Sequence, residues 1–235
     1  IFGIKGSYAV DPQKGAVVMT LTTQGDAPIH YTLDGSEPTA ASPRYTGPVE
    51  IGKSARFRAT ALREGGENAS YSREFAFSKS TGRPAVLNTK PNDSYTFEGA
   101  SLLVDGYHSR PVFTSGAWLG YLDEPLDVTI DMGGEQSYRS VELETLAEKG
   151  DWIFPPSSVT VWVSDNGTDF TEVASVSVPE AKAGDADGIG RYRMQFPETS
   201  ARYLKVVAQN AAAIPAWHPG AGSKGFLFVD EVVVE

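Results

Sequence analysis

Short runs of alternating apolar and polar residues, separated by turn residues, constrain this sequence more than any other feature. The alternation is clear at residues 55–62 and 159–164, and 24 glycines and 15 prolines are spread along the chain. A period of two is typical of half-buried strands, and no segment shows a long amphipathic helical pattern. The sequence therefore predicts an all-β fold. Strands are predicted at residues 16–22, 29–33, 55–62, 71–77, 126–131, 141–146, 159–164, 170–176, 192–196, 202–208 and 226–234.

Charge divides the chain into two parts. Residues 1–79 contain 9 basic and 8 acidic residues, whereas the remainder contains 11 and 22, and all four tryptophans lie in the second part. The segment 78–84 between them is polar and rich in turn residues, which is typical of a boundary that few contacts cross. We predict two domains, at residues 1–80 and 81–235.

Composition excludes several classes of protein. A net charge of −10 without clustered Lys or Arg argues against a nucleic-acid partner, since binding phosphates needs basic clusters. No apolar run reaches the roughly 18 residues of a membrane helix, so no membrane insertion is expected. The absence of cysteine excludes disulfides, cysteine-ligated zinc and cysteine nucleophiles. Three histidines form no recognisable triad, and no phosphate loop or zinc motif occurs.

The first domain contains one specific motif, at residues 29–39. A strand, IHYTL, runs into a turn at Asp34 and Gly35, and Pro38 then ends the ladder because it lacks an N–H donor. With the following Y.GP..I and RFRATAL, residues 8–78 resemble the small sandwich appended to chitobiases and β-hexosaminidases. The resemblance implies a fibronectin-III/immunoglobulin-like β-sandwich that acts as a spacer and has no catalytic residues. We expect Tyr31, Tyr45 and Phe57 in its core.

The second domain contains several motifs whose combination is specific. They are LLVDG (102–106), GDWIFPP (150–156), SDNGTDF (164–170), ARYLKV (201–206), WHPGAG (217–222) and FVDEV (228–232). Residues 82–235 resemble the discoidin-like, galactose-binding β-sandwich jelly roll of family 32 carbohydrate-binding modules and coagulation-factor C domains. GDWIFPP, WHPGAG and the order of the two domains further resemble the C-terminal region of family 20 β-N-acetylhexosaminidases of the Bacteroides type.

The discoidin-like resemblance implies a structural calcium ion near the strand ends. Asp105 matches the family's Asp-Gly aspartate and Glu231 its terminal glutamate, and Ser115 or Thr114 would supply a hydroxyl. Calcium is a hard cation that prefers such oxygen ligands. The alternative is that Asp105 caps a turn and Glu231 lies at a solvated strand edge.

Sugar-binding sites pack aromatic rings against the apolar face of a pyranose and orient its hydroxyls with a few polar groups. By position in the resemblance, Trp152, Trp217, His218 and Tyr121 are the candidate carbohydrate contacts. Trp152 could equally dock on a missing catalytic domain, and His218 could be a structural histidine. Trp118 and Trp162 are expected in the core.

The resemblance thus implies a non-catalytic accessory region of an exported, periplasmic or cell-surface β-N-acetylhexosaminidase. Its partners would be the catalytic domain of the parent chain and glycans ending in galactose or N-acetylglucosamine. The chain starts at Ile1 and is interpreted as an excised piece. The adjacent Asp-Glu pairs at 123–124 and 230–231 lack the context that hexosaminidase chemistry needs, so no catalysis is expected of this fragment. The rival hypothesis is that both domains are architectural and only stabilise the catalytic domain.

Overall fold

A computed structural model describes residues 2–235 and confirms the all-β prediction. Helical structure in this range is limited to three short 3-10 helices, at Asp93–Tyr95, Gly99–Leu103 and Lys149–Asp151, and none is long and apolar enough to cross a membrane. The strands are β1 (Ile4–Asp11), β2 (Ala16–Thr23), β3 (Ile29–Thr32), β4 (Val49–Ile51), β5 (Ala55–Ala61), β6 (Ala69–Phe75), β7 (Ala85–Leu87), β8 (Leu119–Tyr121), β9 (Leu126–Ala147), β10 (Ser158–Ser164), β11 (Thr171–Ser177), β12 (Gly188–Gln209) and β13 (Leu227–Val234).

Strands β1–β6 form the N-terminal sandwich. Its two three-stranded sheets have the orders β1-β2-β4 and β3-β5-β6, with all neighbours antiparallel. Phe57 is buried at the centre of its core, as predicted, whereas Tyr31 and Tyr45 are half-buried and pack around it. The Tyr45 hydroxyl accepts the backbone N–H of Leu21 at 3.0 Å, which explains why this ring stays at the rim.

Strands β7–β13 form the C-terminal sandwich, in which two 22-residue strands take part in both layers. The first half of β9 pairs with β7 and the last half of β12, and its second half pairs with β13 and the first half of β12. Gly133 and Gly134, both at positive φ, lie where β9 changes partners. The sequence predicted each long strand as two because Gly133 and Gly134 interrupt the alternation in β9 and Pro197 interrupts it in β12.

The segment between the sandwiches is buried, which contradicts the expectation that few contacts cross it. Ser80 and Thr81 are 0% and 7% exposed, and the Ser80 hydroxyl donates to the carbonyl of Val232 at 2.6 Å. Gly82 has a φ of +79°, and a Cβ there would lie 2.6 Å from the carbonyl oxygen of Gly15. The polar composition indicated a boundary with few contacts, but these hydroxyls and amides satisfy the end of β13 instead.

Candidate functional site

Three carboxylates meet beneath the loop that follows the second 3-10 helix. Asp105, Asp230 and Glu231 each place an oxygen within 4.8 Å of the others, and each residue is 2% exposed or less. Asp105 follows the helix Gly99–Leu103, and the two other acids lie on β13. The sequence prediction therefore placed Asp105 and Glu231 correctly beside each other in space, and the alternative of a solvated edge for Glu231 is wrong.

The presence of Asp230 in this cluster was not predicted. Successive residues of a regular strand point to opposite faces, so Asp230 and Glu231 should not share a site. The pairing of β13 with β9, however, shifts register between Val229 and Val232. Such a bulge leaves extra residues unpaired and redirects their side chains. The bulge therefore allows the carboxylates of both Asp230 and Glu231 to point into the cluster.

Backbone amides satisfy only part of the cluster's hydrogen-bonding capacity. Asp105 Oδ1 accepts the N–H of Tyr107 at 2.9 Å, Asp230 Oδ2 that of Ser109 at 2.7 Å, and Glu231 Oε2 that of Gly106 at 3.3 Å. Glu231 Oε1 is buried without a hydrogen-bond partner among residues 2–235. An unsatisfied buried charged group is costly, so this oxygen is suited to a cation.

The pKa shifts of the three acids also favour a bound cation. Burial raises the pKa of Asp105, and burial with the neighbouring Asp105 charge raises the pKa values of Asp230 and Glu231. The ionised cluster is therefore unfavourable unless a positive charge joins it. A set of buried carboxylate oxygens with one unpartnered atom fits a hard divalent ion such as calcium.

The predicted hydroxyl ligands lie elsewhere. Thr114 and Ser115 are exposed, and the Ser115 hydroxyl accepts the N–H of Ala117 at 3.3 Å. Ser109, which is 3% exposed and donates its N–H to Asp230, is the hydroxyl residue beside the acids. The loop at 107–117 therefore places the hydroxyl beside the acids six residues before the predicted Ser115.

A group of three ionisable residues, Glu144, His108 and Arg191, borders the cluster, and the sequence analysis did not predict it. Glu144 is 1% exposed, and its Oε1 accepts from His108 Nδ1 at 2.5 Å and from Arg191 Nε at 3.2 Å. Burial opposes ionisation of Glu144, but hydrogen bonding and the charges of both partners outweigh it and lower the pKa. The same hydrogen bond raises the pKa of His108. These cations partly offset the acids from one side.

The two predicted tryptophans lie together on neighbouring loops. Trp152 and Trp217 are 41% and 40% exposed, and both rings contact the imidazole of His218, at centroid distances of 5.9 and 5.6 Å. Trp152 has a left-handed backbone with φ of +62°, and its ring packs on Gly220, where a Cβ would come within 2.8 Å. Trp217 Nε1 donates to the carbonyl of Ala181 at 3.0 Å. Both rings are therefore fixed while part of their surface faces solvent.

His218 anchors this arrangement and is not free to contact a ligand. It is 8% exposed, its Nε2 lies 2.7 Å from the carbonyl of Lys149, and its Nδ1 accepts the N–H of Gly220 at 2.9 Å. Both ring nitrogens are thus used, in the tautomer that carries the proton on Nε2. This bonding and burial favour the structural alternative for His218 over a direct sugar contact.

Tyr121 is likewise not a surface residue. It is fully buried on β8 in the core of the C-terminal sandwich, so a carbohydrate contact is excluded. Trp118 is buried as predicted, with Nε1 donating to the carbonyl of Arg110 at 2.8 Å. Trp162 is only half-buried, beneath the ammonium of Lys205. It points away from the buried Val161, so the expectation that it lies in the core is wrong.

A cleft of about 440 Å³ adjoins the tryptophan loops. Its walls include Phe154, Ala181 and Pro215, and Phe154 contacts the ring of Trp217 at a centroid distance of 6.3 Å. Prolines and alanines form most of the remaining lining. We call Trp152, Trp217 and this cleft the tryptophan site. The volume of the cleft is typical of small-molecule sites, and neither tryptophan lines it.

Comparisons with known proteins match both parts of the chain. The model of the chitobiase/beta-hexosaminidase C-terminal domain matches residues 8–73. The model of the F5/8 type C domain matches residues 88–224, more than half of the chain. A search of curated proteins found no match.

Similar solved structures include two sugar-binding modules. Chitosan-binding module 1 of a chitosanase/glucanase from Paenibacillus sp. IK-5 is 16% identical, with a TM-score of 0.43, and the match covers 67% of this chain and 98% of that one. A family 32 carbohydrate-binding module of Clostridium perfringens, in complex with GalNAc-β-1,3-galactose, is 16% identical with a TM-score of 0.43, covering 65% and 94%. The family-model match decides the classification: this chain belongs to the F5/8 type C, or discoidin-like, domain family.

Proposed function

We propose that this chain is a non-catalytic carbohydrate-binding and accessory region of an exported β-N-acetylhexosaminidase. The observation that carries the proposal is the tryptophan site. Two indole rings, each about two-fifths exposed, are held by a shared histidine beside an apolar cleft.

This geometry suits a neutral terminal sugar such as galactose or N-acetylglucosamine. The apolar face of a pyranose packs on an indole, and a ring that is already fixed loses little conformational entropy on binding. Trp217 is fixed by its bond to Ala181 and Trp152 by its packing on Gly220. The small, apolar cleft walls leave space for a methyl-bearing substituent such as an acetamido group.

The parent enzyme is inferred from the matched N-terminal domain and the order of the two domains. Neither adjacent Asp-Glu pair is suited to glycoside hydrolysis. Asp123 and Glu124 are exposed in a turn, where they contact Lys224 and the N–H of Lys90. Asp230 and Glu231 are buried among other carboxylates and cannot reach a substrate.

A structural calcium ion at Asp105, Asp230 and Glu231 is part of the proposal. The ion would supply the positive charge that three buried carboxylates need, with the backbone and hydroxyl of Ser109 beside it. The carboxylates come from the loop after Leu103 and from β13, so a shared ion would join these elements. Its role would be to stabilise the fold, because all three carboxylates are buried.

An architectural role is the second candidate, and the strained backbone of Trp152 supports it. A non-glycine residue at positive φ persists only where the surroundings enforce it, and an exposed indole in that state suits docking on a neighbouring domain. In that case the tryptophan site would contact the catalytic domain of the parent chain and bind no glycan.

Screening of the chain on a glycan array, followed by calorimetry, separates the two candidates. We expect Trp217→Ala and Trp152→Ala to weaken binding of the selected sugar by tenfold or more, about 1.4 kcal/mol. Trp162→Ala is the matched control, since Trp162 is a half-buried tryptophan on another surface. Absence of any glycan binding by the folded wild type would favour the architectural role.

A further inference from the structure

A basic groove runs along the seam between the two sandwiches. Strands β5 and β6 form one wall and the loop at 107–110 forms the other, enclosing about 560 Å³. A second cavity of about 470 Å³ lies on the other side of β6, and both are lined by Tyr71, Arg73, Tyr107 and Arg110. The groove exists because Tyr107 of the C-terminal sandwich packs on Tyr8 and Phe75 of the N-terminal one.

Positive charge is concentrated in this groove although the chain is acidic overall. The groove is lined by four arginines, by the imidazole of His108 and by one carboxylate, that of Glu74. Arg58 lies 4.0 Å from the exposed Glu37, but Arg56, Arg73 and Arg110 have no carboxylate within 4.0 Å anywhere in residues 2–235. The arginines are Arg56, Arg58, Arg73 and Arg110.

The centre of the groove contains unused hydrogen-bond donors. The guanidinium of Arg73 lies over the ring of Tyr71 at 4.9 Å and over that of Tyr107 at 5.3 Å. Arg73 Nε and the Tyr71 hydroxyl are buried without a hydrogen-bond partner in the described chain. Both atoms are covered by the surrounding side chains, so the charged groups that a ligand meets first are the exposed guanidinium groups of Arg56 and Arg110.

We propose that this groove binds the carboxylate or sulfate group of an acidic saccharide. Guanidinium groups match both oxyanions with paired, charge-assisted hydrogen bonds. The volume lies within the 300–1,000 Å³ typical of small-ligand sites. The anion preference follows from the groove alone, whereas the choice of a saccharide rests on the proposed function.

The surrounding surface favours a selective site over general attraction to polyanions. The C-terminal sandwich carries an excess of acidic residues, so a polyanion meets repulsion outside the groove. A short saccharide with one or two charges would instead be bound where the arginines converge. Arg56 and Arg110 are both exposed, and Arg110 has no side-chain hydrogen bond within the described residues, so it is free to turn toward a ligand.

Calorimetry on the whole chain with small defined ligands tests the proposal. The acidic probes are digalacturonic acid and N-acetylglucosamine 6-sulfate, and the neutral probe is N-acetylglucosamine. We expect Arg110→Gln and Arg56→Gln to weaken binding of at least one acidic probe by tenfold or more. Arg139→Gln, an exposed arginine near Glu198 and outside the groove, should bind as the wild type does. Arg73→Gln is a less specific test, because Arg73 packs on Tyr107 and its loss also disturbs the contact between the sandwiches.

The comparison of probes identifies the anion. Binding of one acidic probe only assigns the carboxylate or the sulfate as the ligand group. No binding of either acidic probe by the folded wild type, or equal binding of inorganic sulfate and the sulfated sugar, would overturn the proposal. Trp217→Ala should leave acidic-probe binding unchanged, so failure of the groove and failure of the tryptophan site give different results.

Discussion

The carboxylate cluster and the tryptophan site belong to the same sandwich but manage polarity in opposite ways. At the tryptophan site the central polar group, His218, has both nitrogens bonded, and two aromatic surfaces remain exposed. In the cluster the polar groups are buried, an oxygen of Glu231 has no partner within residues 2–235, and the acids oppose one another. The polar group of the first region is fully bonded within the fold, whereas the ionised form of the second is disfavoured without an added positive charge.

Calcium removal should therefore lower the stability of the fold through the carboxylate cluster but leave sugar binding at the tryptophan site intact. The change in stability is the largest effect that we expect. At a calcium concentration 100 times Kd, binding adds about 2.7 kcal/mol to the free energy of unfolding. For a domain of this size, thermal melts with calcium and with EDTA should differ by roughly 5–10 °C. Sugar binding at the tryptophan site should survive EDTA as long as the chain stays folded.

Two variants control that experiment. Glu231→Gln should melt higher than the wild type in EDTA, because it removes one of the repelling charges, and should lose the calcium response. Glu172→Gln changes an exposed glutamate on β11 and should behave as the wild type does. Equal melting of the wild type with calcium and with EDTA would mean that the cluster is not a calcium site.

The pH dependence of stability in EDTA should show the same contrast. Burial raises the pKa of Asp105 to about 6 and those of Asp230 and Glu231 in the same direction. The folded chain therefore holds protons that the unfolded chain releases, so the free energy of unfolding falls as pH rises from about 4 to above 6. The melting temperature should drop by several degrees over this range.

Calcium should remove most of that decline, because the ion binds the ionised carboxylates. Glu144 works in the opposite direction, since its lowered pKa adds stability only as pH rises through the acid range. It is fully ionised near neutrality and leaves the decline unchanged there. A constant melting temperature between pH 5 and 8 in EDTA would show that the acids do not oppose one another.

The smallest effect is expected for His218→Gln. Glutamine keeps one donor and one acceptor but loses the ring contacts with Trp152, Phe154 and Trp217. We expect a loss of about 1 kcal/mol in the free energy of unfolding, measured by urea titration, and a weaker sugar affinity. The calcium increment in melting temperature should be unchanged, and a reduced increment would show that the two regions are coupled.

Local alternation predicted most of the strands, and it failed where the backbone departs from regular geometry. Gly133 and Gly134 conceal the continuity of β9, and the shift in β13 places Asp230 beside Glu231. No rule based on single residues anticipates a bulge. Two errors were avoidable, however, since Tyr121 alternates with the apolar Leu119 and Trp162 alternates out of phase with Val161.

At the candidate sites, residue type was predicted better than role. Trp152 and Trp217 are as exposed as a binding ring requires, but the hydrogen bonds of His218 depend on loops distant in sequence. The position of Ser109 was missed because the loop after Tyr107 folds back on β13, a contact separated by more than a hundred residues. The arginines of the groove come from both domains, so neither half of the sequence shows their convergence.

The buried seam at Ser80–Gly82 has a consequence for how this protein can be divided. Ser78 and Ser80 bond the end of β13, and Gly82 fits against the backbone of Gly15 with no space for a side chain. A cut near residue 80 would expose the polar backbone of the last strand, β13, and would remove one wall of the basic groove. The two family matches end at residue 73 and begin at residue 88, on either side of this seam, and we expect the pair to be the unit that can be expressed intact.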